Sequence, residues 1–311
     1  MHSCARAFRR SVVPAVLAGV LALGTASAQT GTVLSFQKQS NTQGTFTSTL
    51  DNFDEFGGDV VGLGDLDGAG PSTYAMAVGA AGDDDGGFNE GAVYVLFMDP
   101  TGNVLSYKKI SSLSGGFTGP LLLGDDFGSS LAFLGDLDGP GPSVAAIAVG
   151  APYTDDGGLT RGAVWVLFLD STGSVIGQRK ISNTSGGFTG ALDNLDEFGG
   201  AVAWLGDLDG AGRSATALAV GAVGDDDGGA DRGAVYVLFL DRTGNVLSHR
   251  KISSTAGGFT GALDNSDDFG TSIASLGDLD GVGPSVCALA VGAPFDDDGG
   301  NPGPSSKAKA V

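Results

Sequence analysis

Short apolar runs alternate with Gly- and Asp-rich breaks along almost the whole chain, and no stretch keeps apolar residues at the spacing of a long amphipathic helix. The pattern predicts strands and turns, an all-β protein. Within the first complete stretch, residues 59–63 follow Phe56-Gly57 directly and residues 74–79 follow an Asp-rich turn. Residues 91–98 (GAVYVLFM) are almost continuously apolar, as an inner strand covered on both faces should be, while residues 103–111 (NVLSYKKIS) are mixed. Lys108 and Lys109, with Arg179/Lys180 and Arg250/Lys251 in the same places further on, read as an outermost strand defended against edge pairing. The outer rim is then weakly basic.

This pattern recurs. Phe56-Gly57 returns as Phe127-Gly128, Phe198-Gly199 and Phe269-Gly270, and the Gly-Asp-Leu-Asp-Gly turn at 64–68 returns at 135–139, 206–210 and 277–281, each copy 71 residues after the last. Units multiplied without insertions bury their apolar faces by stacking on neighbours. Four antiparallel strands per 71-residue repeat, the first innermost, describe a β-propeller built of four-stranded blades. Val61, Ala132, Ala203 and Ala274 keep one first-strand position small, as a crowded centre requires. A β-solenoid ranks below this reading, because its coils are usually much shorter. Strand order puts the Gly-Asp-Leu-Asp-Gly turns on one face. The Asp loops 83–87, 155–158, 225–229 and 296–300 and the blade links 50–55, 192–197 and 263–268 fall on the other, which should be strongly acidic.

The chain ends depart from the repeat. Residues 1–28 carry Arg6, Arg9 and Arg10, an apolar stretch from Val12 to Leu23, and Ala26-Ser27-Ala28, and so read as a secretory signal peptide. Residues 29–300 hold four copies, the last incomplete. Residues 32–50 match the last strand and link of a repeat. At the other end, 304–311 (PSSKAKAV) stand where the register of 233–240 (GAVYVLFL) expects a buried strand, so 301–311 read as a disordered tail. The expectation is an incomplete ring or a fragment of a longer polypeptide.

The net charge of −20 becomes more negative once the arginines of 1–28 are removed, which disfavours nucleic acid as a partner. No stretch after residue 28 is apolar enough to span a membrane. One cysteine, Cys287, and one histidine, His249, remain beyond the leader, so no internal disulfide can form. Cys287 shares its place with Tyr74, Ala145 and Thr216 in an apolar strand and reads as a small buried side chain, not a nucleophile. His249 takes the place of Tyr107 and Gln178 and reads as a solvated strand position. Asn183-Thr184-Ser185 is a sequon that matters only in a glycosylating host.

The Phe-Gly pairs, the Asp-Leu-Asp-Gly turns and Ala-Val-Gly-Ala-Pro at 148–152 and 290–294, weakened at 78–81 and 220–223, resemble the FG-GAP repeats of the integrin α-subunit β-propeller and its secreted bacterial relatives. The resemblance covers roughly residues 31–300. It implies an extracellular or cell-surface propeller for binding or adhesion to a protein or glycan, not catalysis, and a seven-bladed ring. It also implies calcium on the paired-aspartate turns, here Asp65/Asp67, Asp136/Asp138, Asp207/Asp209 and Asp278/Asp280. The family's further ligand positions carry Ala69, Pro140, Ala211 or Val282 and Thr73, Val144, Ala215 or Val286 in this chain. Since Ca²⁺ takes six to eight oxygens, two carboxylates make a weak site at best. A second cation reading joins the Asp loops to Asp51, Asn52 or Asp54 of the adjoining link, again with hard oxygen ligands suited to Ca²⁺. The alternatives are a hydrolase using acidic loop residues and a purely structural surface protein. Against the enzyme stand acids repeated alike in every blade and the lack of a GxSxG elbow.

Overall fold

Each apolar run becomes a strand because the residues that bound it favour turns: glycines in the left-handed region close the breaks, among them Gly64, Gly68 and Gly102. The computed structural model describes residues 33, 35–68, 70–210, 214–279, 281, 287–297 and 309–310. Residues 1–36 form a unit of their own, of which only the exposed Val33, Ser35 and Phe36 are described. The expected signal peptide therefore lies outside the described residues. The repeats make up the second unit, residues 37–311.

That unit is all-β. The first blade consists of β1 (Val60–Gly64), β2 (Tyr74–Ala80), β3 (Ala92–Met98) and β4 (Val104–Ile110). The second has β5 (Leu131–Gly135), β6 (Ala145–Ala151), β7 (Ala163–Leu169) and β8 (Val175–Ser182). The third has β9 (Val202–Gly206), β10 (Thr216–Ala222), β11 (Ala234–Leu240) and β12 (Val246–Ile252). Each is a four-stranded antiparallel sheet whose strands pair in sequence order. The fourth sheet holds β13 (Ser272–Gly277), β14 (Ala288–Ala293) and β15 (Lys309–Ala310). The two residues of β15 pair with the end of β14, and Lys309 takes the partner that Ser305 would have in the register of the preceding blade. The first strands β1, β5, β9 and β13 lie side by side in that order, as the inner strands of successive propeller blades do. Among the described residues no helix is long and apolar enough to cross a membrane.

The core is a series of layers between blades. Side chains alternate across a strand, so the third strand of each blade feeds two layers. Val164, Val166 and Phe168 of β7 join the layer shared with the third blade, while Trp165, Leu167 and Leu169 join the one shared with the first. This two-sided burial is why the third strands are continuously apolar.

The Phe-Gly and Gly-Ala motifs interlock neighbouring blades. An added Cβ at Gly79, Gly150 or Gly221 would collide with the carbonyl oxygen of Gly128, Gly199 or Gly270 in the next blade, so only glycine permits that approach. Gly91, Gly162 and Gly233 form parallel bridges to Phe127, Phe198 and Phe269. Each of those phenylalanines then stacks on one from the preceding link: Phe117 on Phe127 at 5.1 Å, Phe188 on Phe198 at 5.0 Å and Phe259 on Phe269 at 5.1 Å between centroids. His249 belongs to this cluster, half-buried with its ring 5.1 Å from Phe188 and 6.1 Å from Tyr236. It is not the solvated position that its variability between repeats suggested, because Tyr107 packs in the same way against Phe46. Cys287 is only half-buried, its thiol 3.4 Å from the Ser275 hydroxyl, since the strands of the fourth sheet are less covered than those before it.

Candidate functional site

The paired-aspartate turns join each inner strand to the second. Their middle residues Leu66 and Leu137 plug into the core, which leaves the flanking aspartates at the surface. The two aspartates then behave differently. Asp65, Asp136 and Asp207 are exposed. The second aspartate closes the turn: the Ser72 hydroxyl donates to Asp67 Oδ1 at 2.7 Å and the Ser143 hydroxyl to Asp138 Oδ1 at 2.6 Å. The Ser72 hydroxyl bond holds the Asp67 carboxyl below its ordinary value. In the third blade the backbone N–H of Ser214 donates to Asp209 Oδ2 at 3.3 Å. In the fourth, Gly281 N–H donates to Asp278 Oδ1 at 2.9 Å, and Asp280 lies outside the described residues. Among the described residues no three carboxylate, imidazole or thiol groups converge to hold a metal. One exposed carboxylate beside one committed to its own turn fits a weak Ca²⁺ contact and not a closed cage.

The loops between second and third strands carry the other acids, and here lysines supply the positive charge. Asp83 is buried. It accepts from the Tyr94 hydroxyl at 3.2 Å and pairs with Lys109 Nζ at 2.8 Å, while Lys109 also reaches Asp85 at 2.9 Å. The ammonium sits 5.5 Å from the centre of the Tyr94 ring. Burial alone would lower the Lys109 ammonium, but Asp83 and Asp85 outweigh it and push it up. Burial first, and then the Asp83 charge, pushes the Tyr94 hydroxyl up to about 12. The third blade repeats the arrangement: Lys251 pairs with Asp225 at 2.7 Å and Asp227 at 2.8 Å, and the Tyr236 hydroxyl donates to Asp225 at 3.2 Å.

The second blade changes two members at once. Thr154 replaces Asp83 and Trp165 replaces Tyr94, so Lys180 has only Asp156, at 2.9 Å. The Trp165 indole N–H is buried without a partner, and the Thr154 hydroxyl lies beside the buried Asp125 carboxyl, which it helps to lower. In all three blades the lysine placed on the rim by its strand position reaches over the aromatic ring into the acidic loop. The signal was present in the sequence as a lysine recurring at a fixed offset from the Asp loop.

The links complete this face. Hydrogen bonds from Gly124 N–H to Phe88 O (2.8 Å) and from Leu195 N–H to Leu159 O (2.9 Å) fasten each link to the Asp loop of the preceding blade. Asp54, Asp125, Asp196 and Asp267 are buried, and each accepts the backbone N–H of the residue three before it, at 2.7, 2.9, 2.9 and 2.7 Å. They shape the link. Burial pushes all four carboxyls up, Asp196 to about 7.

The next residues, Glu55, Asp126, Glu197 and Asp268, adopt left-handed backbone with φ of 56°, 54°, 54° and 54° and form a row of acids from blade to blade. Asp126 is pushed up to about 6 by burial and then by Glu55 and Asp125, and Glu197 is raised by burial and then by Asp268 and Asp231. Between the third and fourth blades Glu197, Asp231, Asp268 and Asp297 line a cleft of about 630 Å³ together with Leu195 and Phe295. Large apolar side chains stand exposed on the same loops, among them Phe53, Phe88, Leu123, Tyr153 and Phe295. The sequence reading missed them, although an apolar residue inside an Asp/Gly loop was the available signal. Compared with known proteins, the chain matches no protein-family model and no curated protein.

Proposed function

We propose that this chain is a secreted or cell-surface binding and adhesion module of the FG-GAP propeller type, meeting an extracellular protein or glycan through its acidic loop face. The observation that carries this reading is the mixture on that face. Exposed Phe53, Phe88, Tyr153, Leu195 and Phe295 stand on the same loops as the acidic row Glu55, Asp126, Glu197 and Asp268. Exposed apolar groups rimmed by charge are what a partner surface uses, the apolar contacts for affinity and the charge for steering and register. The partner is therefore expected to be basic and partly apolar on the contacting side.

Calcium enters as a weak bridging cation at Asp65, Asp136, Asp207 and Asp278, the aspartates that open each turn. Binding is favoured over hydrolysis because the buried acids repeat alike in every link and each accepts its own link N–H. The test is retention of the labelled chain on surfaces coated with a basic extracellular protein, with a neutral glycan, or left bare, at low and raised salt. Saturable retention that weakens with salt and falls several-fold in Phe53→Ser and Phe88→Ser is expected on the basic protein. Equal retention on the bare surface, or no effect of either substitution, would contradict the reading.

A further inference from the structure

The repeat provides an internal comparison for finding a specialised site, because several departures from it that meet at one open place need a cause outside the blade. Three residues of the third blade depart from the repeat and meet in one place. Trp204 on β9 stands where the other blades have Gly62, Phe133 and Ser275. Thr216 at the start of β10 stands where they have Tyr74, Ala145 and Cys287. Arg242, in the hairpin between β11 and β12, stands where the first two blades have Pro100 and Ser171.

All three line a cleft of about 770 Å³ on the turn face between the second and third blades, opposite the acidic loops and within the usual size range of a small-molecule site. Thr216 fixes the indole by accepting the Trp204 Nε1–H at 2.7 Å. Trp204 is nevertheless 47 % exposed, so an oriented aromatic ring lines an open cleft. Asp136 and Asp207 supply carboxylates from the two neighbouring turns. Arg242 forms no ion pair with a described residue, and its guanidinium lies against Gly139 at the cleft edge. Ser214, 9 % exposed and also lining the cleft, has a hydroxyl without a partner, whereas its counterparts Ser72 and Ser143 bond to the turn aspartate.

We propose that this cleft binds a neutral saccharide, stacked by its C–H face on Trp204, with its hydroxyls donating to Asp136 and Asp207 and accepting from Arg242. A pyranose ring suits these groups because one face is apolar and its rim carries neighbouring hydroxyls that pair two at a time with carboxylate or guanidinium. Three carboxylates, those of Asp136, Asp207 and Asp241, against one guanidinium disfavour phosphates and acidic sugars. A preoriented ring lowers the ordering cost of binding. The proposal rests on the binding-module reading but places this ligand on the opposite face.

The experiment is titration of the full chain with gluco-, galacto-, manno-, xylo- and N-acetylglucosamine trisaccharides at millimolar concentration, followed by tryptophan fluorescence. The chain has two tryptophans, and Trp165 is buried, so a change in emission reports Trp204. Saturable binding of at least one trisaccharide is expected, at least about tenfold weaker in Arg242→Ala and abolished in Trp204→Ala read by calorimetry. Both variants should melt like the parent chain, and Trp204→Ala should keep its retention on basic protein, which separates this proposal from the acidic-face reading. No response to any of the five sugars would overturn it. So would binding that survives Trp204→Ala, or binding confined to galacturonate trisaccharide added as the acidic control.

Discussion

The two faces of the blades use their charges in opposite ways. On the loop face acids are numerous, yet the buried ones are held from within: Asp83 and Asp225 by a lysine and a tyrosine, and Asp54, Asp125, Asp196 and Asp267 by the N–H groups of their own links. On the turn face the second aspartates are engaged too, Asp67 and Asp138 by serine hydroxyls, whereas the first aspartates Asp136 and Asp207 face an open cleft beside Trp204 and Arg242. Charge alone therefore does not mark the turn-face cleft; what marks it is that Trp204, Thr216 and Arg242, which have no equivalents in the other blades, converge there. The second blade makes the same point from the other direction. When Trp165 takes the tyrosine's place, the aspartate that would bond its hydroxyl becomes Thr154, so the network changes as a unit.

The largest effect that would break this comparison comes from the lysines. Lys251→Met leaves Asp225 buried and unpaired, since the lysine is 21 % and the aspartate 3 % exposed. A loss of about 3 kcal/mol is expected in denaturant unfolding. Lys180→Met strands only Asp156, which is 30 % exposed, and should cost about 1 kcal/mol. Equal losses would mean that the buried aspartate adds nothing to the network.

The next effect is on pH dependence. A carboxyl whose folded value is raised contributes stability that is full below its ordinary value and lost as pH rises through the folded one. Asp196, raised to about 7 by burial, should therefore destabilise the fold progressively between about pH 4 and pH 8. Asp99 acts at the other end. The hydrogen bonds from Thr101 and Asn103 hold it at about 2, so its contribution is lost only as pH falls towards that value. From these two groups, maximum stability is expected near pH 4, where the two contributions cross. Asp196→Asn keeps the acceptor for the Asp193 N–H and removes the charge. It should raise the melting temperature by a few degrees at pH 8 and leave it nearly unchanged at about pH 4. A gain of the same size at both pH values would refute the assignment.

Smaller still is the stability effect expected at the turn-face cleft. Trp204→Ala removes a half-exposed ring and one hydrogen bond, and should cost no more than about 1 kcal/mol in the same unfolding assay. A loss of several kcal/mol would make Trp204 a packing residue and weaken its contrast with the buried Trp165.

Much of the fold was legible because its causes are local and repeated. The Gly and Asp residues of each turn set the strand ends, and the apolar run at 91–98 is continuous because β3 is covered on both sides. What stayed hidden depends on side chains that meet across the blade. Lys109 and Asp83 lie in different strands and loops, and only the path of the lysine over the Tyr94 ring brings them together. His249 looked solvated because Tyr, Gln and His interchange there, whereas the place is a ring-packing site whose occupant varies. At the paired-aspartate turns the sequence showed both carboxylates but not that Ser72 and Ser143 engage the second of each pair. The sequence reading passed over Trp204, since Gly62, Phe133 and Ser275 already vary at its place, and its convergence with Thr216 and Arg242 required the fold.

The smallest effect tests the central claim most directly, because it asks whether the abundant acids are available to a cation. Calorimetric titration of Ca²⁺ into the metal-stripped chain, with a parallel thermal melt, should show only weak millimolar binding and a melting shift of about 1 °C or less. Saturable micromolar binding with a large rise in melting temperature would contradict the account, since it would require carboxylates that the lysines, serines and link N–H groups leave free.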